Sequence, residues 1–223
     1  MKKISIIITA GGIGKRMESD IPKQFLLLNS KPVLLHTLEK FNTTIPEAEI
    51  VITLPLDWKS YWENILKKFN CTIPHTIIDG GKERYHSVKS ALDVVKGENI
   101  LIHDGVRPLL SETLIERCVS ELENSSAFVP VLKIKESLRK VNEENTTAIN
   151  RSNYLVVQTP QCFSSEVIKQ AYRQPFDGKS FDDATLVEKN GVNITTIKGD
   201  DNNIKITTPK DIILAEMLMN NNF

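Results

Sequence analysis

A chain of 223 residues, 40% hydrophobic and 25% charged, is long enough to bury one substantial α/β core. Its 28 Lys plus Arg balance its 28 Asp plus Glu, which excludes the basic footprint of a nucleic-acid binder and makes a small ligand the expected partner. No apolar run approaches the ~20 residues of a membrane span. The opening MKKISIIITA breaks into glycine too early for a signal-peptide core, and Cys71, Cys118 and Cys162 are too few and too scattered for a disulfide framework or a clustered zinc site, so a reducing cytoplasmic setting is expected.

The first element is a strand, Ile4 to Ile8, whose continuous β-branched run suits a position buried on both faces of a parallel sheet. It runs straight into Gly11, Gly12 and Gly14, where bare backbone N–H groups let an anion approach, and then into Lys15 and Arg16. The dinucleotide pattern fails because Met17 stands where a third glycine is required, and the P-loop pattern fails because Arg16 follows Lys15. Lys23 and Gln24 follow in IPKQF. A helix is predicted over Val33 to Phe41, a strand over Ile50 to Leu54, and a helix over Trp58 to Phe69, on which Trp58, Trp62, Ile65, Leu66 and Phe69 share a core-facing side.

The strand Thr76 to Ile78 leads into DGGKERYHSV, with Gly81, Arg84 and Ser87 at the start of a helix, Tyr85 to Val95. The strand Ile100 to His103 leads into HDGVRP, which places His103, Asp104 and Arg107 within five residues. A helix over Glu112 to Leu122 and a strand over Phe128 to Val131 come next. From Lys133 to Arg151 two short alternating stretches flank a polar Asn-Glu-Glu-Asn turn, a hairpin with too little apolar content to stand alone. After a strand over Val156 to Gln158, the polar residues of QTPQCF either orient a ligand or bond the turn. Helices over Ser164 to Tyr172 and Asp182 to Lys189, a strand over Thr195 to Ile197, and NNIKITTPKD complete the chain; Lys205 precedes a helix, Pro209 to Met219, with Thr208 as N-cap and Pro209 at the first helical position.

This alternation predicts one α/β unit over residues 1–223, a Rossmann-like doubly wound, mostly parallel sheet with the hairpin 133–151 inserted in it. In such sheets ligands bind beyond the carboxyl ends of the strands, where Arg16, Lys23, Arg84, Arg107 and Lys205 gather around Asp104. Several cations around one carboxylate suit a metal-bound triphosphate, the cations neutralising charge on a phosphoryl group while Asp104 offers a hard oxygen ligand. His86 and His103 stand in no HxH or HxxxH pair, and neither is assigned to a metal.

The ordered motifs TAGGIGKRM, PKQF, GGKERYHSV, HDGVRP, QTPQ and NIKITTPKD span nearly the whole chain and resemble those of the 2-C-methyl-D-erythritol 4-phosphate cytidylyltransferase (IspD) family. Ribitol-5-phosphate cytidylyltransferases are similar in most of them. The resemblance implies a Mg²⁺-dependent cytidylyltransferase of isoprenoid synthesis that takes CTP and a sugar-alcohol phosphate. It implies a glycine loop around the nucleotide, with contacts from Ala10, Gly11, Gly12, Gly81, Ser87 and Asp104, and Asp104 as metal ligand. Arg16 and Lys23 would stabilise the transition state, and Arg151 and Lys205 would position the sugar phosphate, in a pocket shared with Arg107, Ser137 and Thr159. The hairpin would embrace a second subunit in a homodimer. Two departures stand out: Phe181 occupies a hydroxyl position, with Ser180 beside it, and Asn202 replaces an aspartate, with Asp201 adjacent. A non-catalytic nucleotide-binding domain would not require Arg16, Lys23 and Asp104 together.

Overall fold

Strand β1 (Ile4–Thr9), the apolar run near the start of the chain, lies inside a sheet in the computed structural model, which describes residues 3–12, 20–180 and 182–220. Arg16 and Phe181 therefore lie outside the described residues. In chain order there follow a small antiparallel pair, β2 (Leu27–Leu28) and β3 (Lys31–Pro32), then α1 (Val33–Thr44), β4 (Glu49–Leu54), α2 (Lys59–Lys68), β5 (Thr76–Asp79) and α3 (Arg84–Val94). Next come β6 (Asn99–Asp104), α4 (Glu112–Glu121), β7 (Ala127–Lys133), the hairpin strands β8 (Leu138–Val141) and β9 (Thr146–Ile149), then β10 (Leu155–Val157) and β11 (Gln161–Ser164). The chain continues through α5 (Ser165–Ala171), α6 (Asp183–Lys189), β12 (Thr195–Lys198) and α7 (Pro209–Asn220).

β1 pairs in parallel with both β4 and β6, and β5 continues the parallel side beyond β4. On the other side β11 runs antiparallel between β6 and β7. Phe128 of β7 pairs with Cys162 of β11 and also with Thr195 of β12, and Val131 pairs with Val157 of β10 and Lys198 of β12. A strand has two edges, so β10 and β11 share one edge of β7 and β12 holds the other. The sheet is mostly parallel, as the alternation predicts. β11 is the strand that the sequence reading treats as a turn: four residues are too few for a periodic signal, and Gln161 and Ser164 hide the two apolar residues between them.

The pleat of β1 divides the core. Ile6 and Ile8 pack with α1, α2 and α4, where Leu34, Leu38, Phe41, Trp62 and Leu114 are buried. Ile7 packs on the opposite layer, formed by α3, α5 and α6. The aromatic side of α2 divides by depth: Trp62 and Ile65 are buried, while Trp58, Leu66 and Phe69 pack partly buried against them. A third cluster, Leu28, Val33, Val106, Ile206 and Ala215, seats α7 and the segment before it at the carboxyl end of the sheet. At the start of α7 it is Asp211 that accepts the Thr207 and Thr208 amides, at 2.8 and 2.7 Å.

The hairpin forms within its expected bounds. Its strands pair from Leu138 with Ile149 to Val141 with Thr146, and the Asn142 amide donates to Asn145 O at 2.9 Å across the turn. It makes a two-stranded sheet of its own, separate from the main one. No helix among the described residues is long and apolar enough to cross a membrane.

Candidate active site

The carboxyl ends of β1, β4 and β5 bring two glycine turns face to face. The Ala10 amide donates to Thr53 O at 3.0 Å and the Gly80 amide to Leu54 O at 2.6 Å, so the two turns leave the sheet on either side of the end of β4. A Cβ on Gly11 would stand 3.3 Å from Ser87 Oγ, and one on Gly80 would stand 3.3 Å from the Leu54 carbonyl. Gly81 is tighter still: its Cβ would fall 2.2 Å from His86 Cβ, against the first turn of α3. Ser87 Oγ, buried at the same place, accepts the Gly81 amide at 2.9 Å. Glycine suits these places because a Cβ would crowd Ser87, the Leu54 carbonyl or the first turn of α3, and its absence leaves the glycine backbone bare.

Above these turns lies a cavity of about 550 Å³ whose charged walls include Lys23, Arg84, Asp104 and Lys205. That volume suits one small ligand. Lys23 Nζ donates to Ile206 O at 2.9 Å, and Gln24 beside it donates to Ala10 O at 2.7 Å, tying PKQF to both the glycine turn and the segment bearing Lys205.

Asp104, at the end of β6, is 6% exposed and faces three cations: Lys205 Nζ at 2.9 Å, Arg107 Nε at 3.3 Å and Arg84 Nε at 3.7 Å. Burial alone would raise its pKa, but Lys205, Arg84 and Arg107 outweigh that and hold the carboxyl well below the usual carboxylate range. His103 next to it is fully buried, and burial lowers its pKa to about 3, so it is neutral. Its Nε2 lies 3.3 Å from Arg107 O, which only accepts, so the ring proton is on Nε2. Nδ1, 2.9 Å from Thr159 Oγ1, then accepts from that hydroxyl, whose oxygen in turn accepts the Asp104 amide at 3.2 Å. A polar chain thus runs from the Asp104 backbone through Thr159 and His103 to the Arg107 carbonyl.

The structure brings Ala10, Gly11, Gly12, Lys23, Gly81, Ser87, Asp104 and Lys205 around one cavity. Arg107 and Thr159, which the resemblance places on the sugar phosphate, stand behind Asp104. Arg107 is committed to Asp104 Oδ2 and, at 2.8 Å, to Asn203 O; the Thr159 hydroxyl is committed to His103. Ser137 and Arg151 are exposed at the base of the hairpin, and the Arg151 guanidinium donates to the Lys135 carbonyl there.

Sequence reasoning missed the partner of Arg84. Its guanidinium makes two 2.7 Å bonds to the carboxylate of Asp183, which is fully buried and also accepts Tyr172 Oη at 2.5 Å. Burial works to lower the Arg84 pKa, and Asp183 more than reverses it, fixing the charge. The signal was the doubled Asp182-Asp183: Asp182 caps α6 by accepting the Thr185 amide at 2.9 Å, which turns Asp183 inward.

A family model described as 2-C-methyl-D-erythritol 4-phosphate cytidylyltransferase, IspD, matches residues 4–221. The chain belongs to the IspD family. A relative from Bacteroides thetaiotaomicron named as that enzyme is 41% identical over 97% of this chain and 100% of its own, and one from Porphyromonas gingivalis is 42% identical over 96% of each. The crystal structure of 4-diphosphocytidyl-2C-methyl-D-erythritol synthase from Anaerococcus prevotii superposes with a TM-score of 0.85 at 29% identity, covering 98% of this chain and 96% of that one. The cavity beyond β1, β5 and β6 lies at the carboxyl ends of the strands, where open α/β sheets in general take their ligands.

Proposed function

We propose that this chain transfers the cytidylyl group of CTP to 2-C-methyl-D-erythritol 4-phosphate, forming CDP-methylerythritol and releasing pyrophosphate. The observation that carries the reading is the family match over nearly the whole chain, with a cation-rich, glycine-floored cavity at the sheet end. The acceptor phosphate is already anionic, so positioning and charge stabilisation suffice for in-line attack on the α-phosphate. The Ala10–Gly12 and Gly80–Gly81 turns, braced by Ser87, receive the nucleotide on bare backbone. Lys23, together with Arg16, neutralises charge as it develops, and Lys205 meets the acceptor phosphate.

Asp104 fits a Mg²⁺ ion: it is an ionised hard ligand at the cavity edge, and among the described residues no group of three His, Cys, Asp or Glu offers a closed protein cage. One carboxylate plus substrate phosphates and water is the usual Mg²⁺ arrangement, and the ion would supply charge neutralisation on the triphosphate. Pyrophosphate release should require CTP, stop on chelation and resume with Mg²⁺. It should run faster with 2-C-methyl-D-erythritol 4-phosphate than with ribitol 5-phosphate; the reverse preference would make the chain a ribitol-phosphate enzyme.

Gly81→Ala drives a methyl into the first turn of α3 and lifts the floor under the nucleotide. The Kd for CTP, measured by calorimetry, should rise about tenfold or more, near ~1.4 kcal/mol. An unchanged Kd would show that this turn does not touch CTP.

We place the chain in a homodimer whose hairpin completes the neighbouring site. Supporting this, Tyr154, Leu155, Val156 and Val157 form an exposed apolar strip that begins where the hairpin ends, each at least 40% exposed. Arg151 and Ser137 would then reach the acceptor across the interface. Mixing inactive Arg151→Ala with inactive Lys23→Ala protein should restore part of the activity, because one heterodimer site carries neither change. A mixture that exchanges subunits and stays inactive would confine Arg151 to its own chain. The free cysteines, two of them in the core, support a reducing cytoplasmic setting.

A further inference from the structure

We infer that Gln158 is a positioning residue for Lys205, acting through the loop that precedes it; this rests on the reading that Lys205 serves the transfer. Gln158 directly follows β10 and is 4% exposed. Its own amide donates to Pro130 O at 2.8 Å, which holds it against β7. Its side chain then pairs with the backbone of Asp200: Nε2 donates to Asp200 O at 2.8 Å, and Oε1 accepts the Asp200 amide at 3.0 Å. A primary amide carries the donor and acceptor of a peptide group, so it supplies one more ladder rung just where β12 has ended at Lys198. Gly199 shows that this place is built for it, since a Cβ there would fall 2.4 Å from Gln158 Oε1.

From that rung the loop is fixed step by step. The Asn203 amide donates to Asp200 O at 3.0 Å, and Asn203, fully buried, donates from Nδ2 to Thr159 O at 2.7 Å. Beyond Lys205, the Ile206 amide donates to Val106 O at 2.9 Å. Lys205 is thus suspended between two anchored residues, and its long side chain reaches Asp104 from a set backbone position. Among the described residues, only the Gln158 amide holds both backbone groups of Asp200 at the upstream end. Without it, the loop from Asp200 to Asn203 loses its register and Lys205 loses its aim, while the glycine turns, held by Thr53 O and Leu54 O of β4, stay in place.

The test is a double-mutant cycle on kcat with CTP affinity measured alongside. Gln158→Leu keeps the bulk and removes both bonds; kcat should fall about 10- to 100-fold, the range expected when a reacting group is misplaced by an ångström. The Kd for CTP should stay within about twofold of the parent, and Gln158→Leu combined with Lys205→Ala should be no slower than Lys205→Ala alone, within about twofold. Gly199→Ala, whose methyl displaces the same amide, should reproduce the effect and replaces Gln158→Leu in the cycle if that variant does not fold. Unchanged kcat, losses that multiply in the double variant, or a parallel loss of CTP binding would each overturn the inference. A Lys205→Ala enzyme with normal turnover would instead overturn the role given to Lys205 itself.

Discussion

Lys23→Ala should lower kcat by about 10² or more, a loss near ~3 kcal/mol of transition-state stabilisation, with a much smaller change in CTP affinity. Lys23 lines the same cavity as Gly81, and its ammonium reaches Ile206 O at 2.9 Å, so it is held in place by the same segment that carries Lys205. A cation fixed this way costs little reorganisation when negative charge grows on the reacting phosphate, which is why its removal should appear in kcat. Arginine at this position keeps the charge but replaces a compact ammonium with a planar fork, and Lys23→Arg should recover only part of the loss. Single-turnover kinetics and CTP calorimetry on the same preparations separate the two effects. Near-normal kcat in Lys23→Ala would remove Lys23 from the chemistry, and an equal fall in affinity and rate would make it a binding residue.

Asp183→Ala should be the most destabilising substitution at the site, by about 3 kcal/mol. Asp183 is fully buried and holds the Arg84 guanidinium through two bonds at 2.7 Å, and Tyr172 Oη through a third at 2.5 Å. Removing the carboxylate strands a buried hydroxyl and leaves Arg84 with Asp104 as its remaining counter-charge. The Arg84 side chain is 30% exposed at the cavity, so water softens the penalty, and the value belongs at the lower end of the range for a broken buried pair. For a chain of this length the melting temperature should drop by about 6–12 °C. Adding Arg84→Ala to Asp183→Ala should cost little more, since the interaction is already lost. Thermal unfolding of the three variants decides it: a melting temperature unmoved by Asp183→Ala would mean the pair adds nothing, and additive losses would mean the two residues act independently. Because Arg84 also faces Asp104, a stable Asp183→Ala protein should still lose turnover.

Much of this architecture was legible from local pattern. The β-branched run of β1, the helical spacing on α2 and α4 and the glycine pairs after β1 and β5 each reflect the backbone's own periodicity or steric limits, which short windows of sequence display. The Asn-Glu-Glu-Asn turn exposed the hairpin for the same reason. Collecting Lys23, Asp104 and Lys205 at one end of a parallel sheet also required only the strand order rule, because every strand-to-helix turn in such a sheet opens on the same side.

What the tertiary structure decided is which polar atom meets which. Nothing local to Arg107 or Thr159 says that one braces Asn203 O and the other spends its hydroxyl on His103; those partners lie 96 and 56 residues away. Arg84 meets Asp183 across 99 residues, and Gln158 meets Asp200 across 42. β11 is a strand because β6 and β7 leave a slot whose ladder groups it satisfies, an antiparallel insertion that four residues of sequence do not announce. Hydrophobic periodicity is written along the chain because one face of an element always points inward, whereas hydrogen-bond partners are chosen only when distant elements close on one another and each buried donor must find an acceptor.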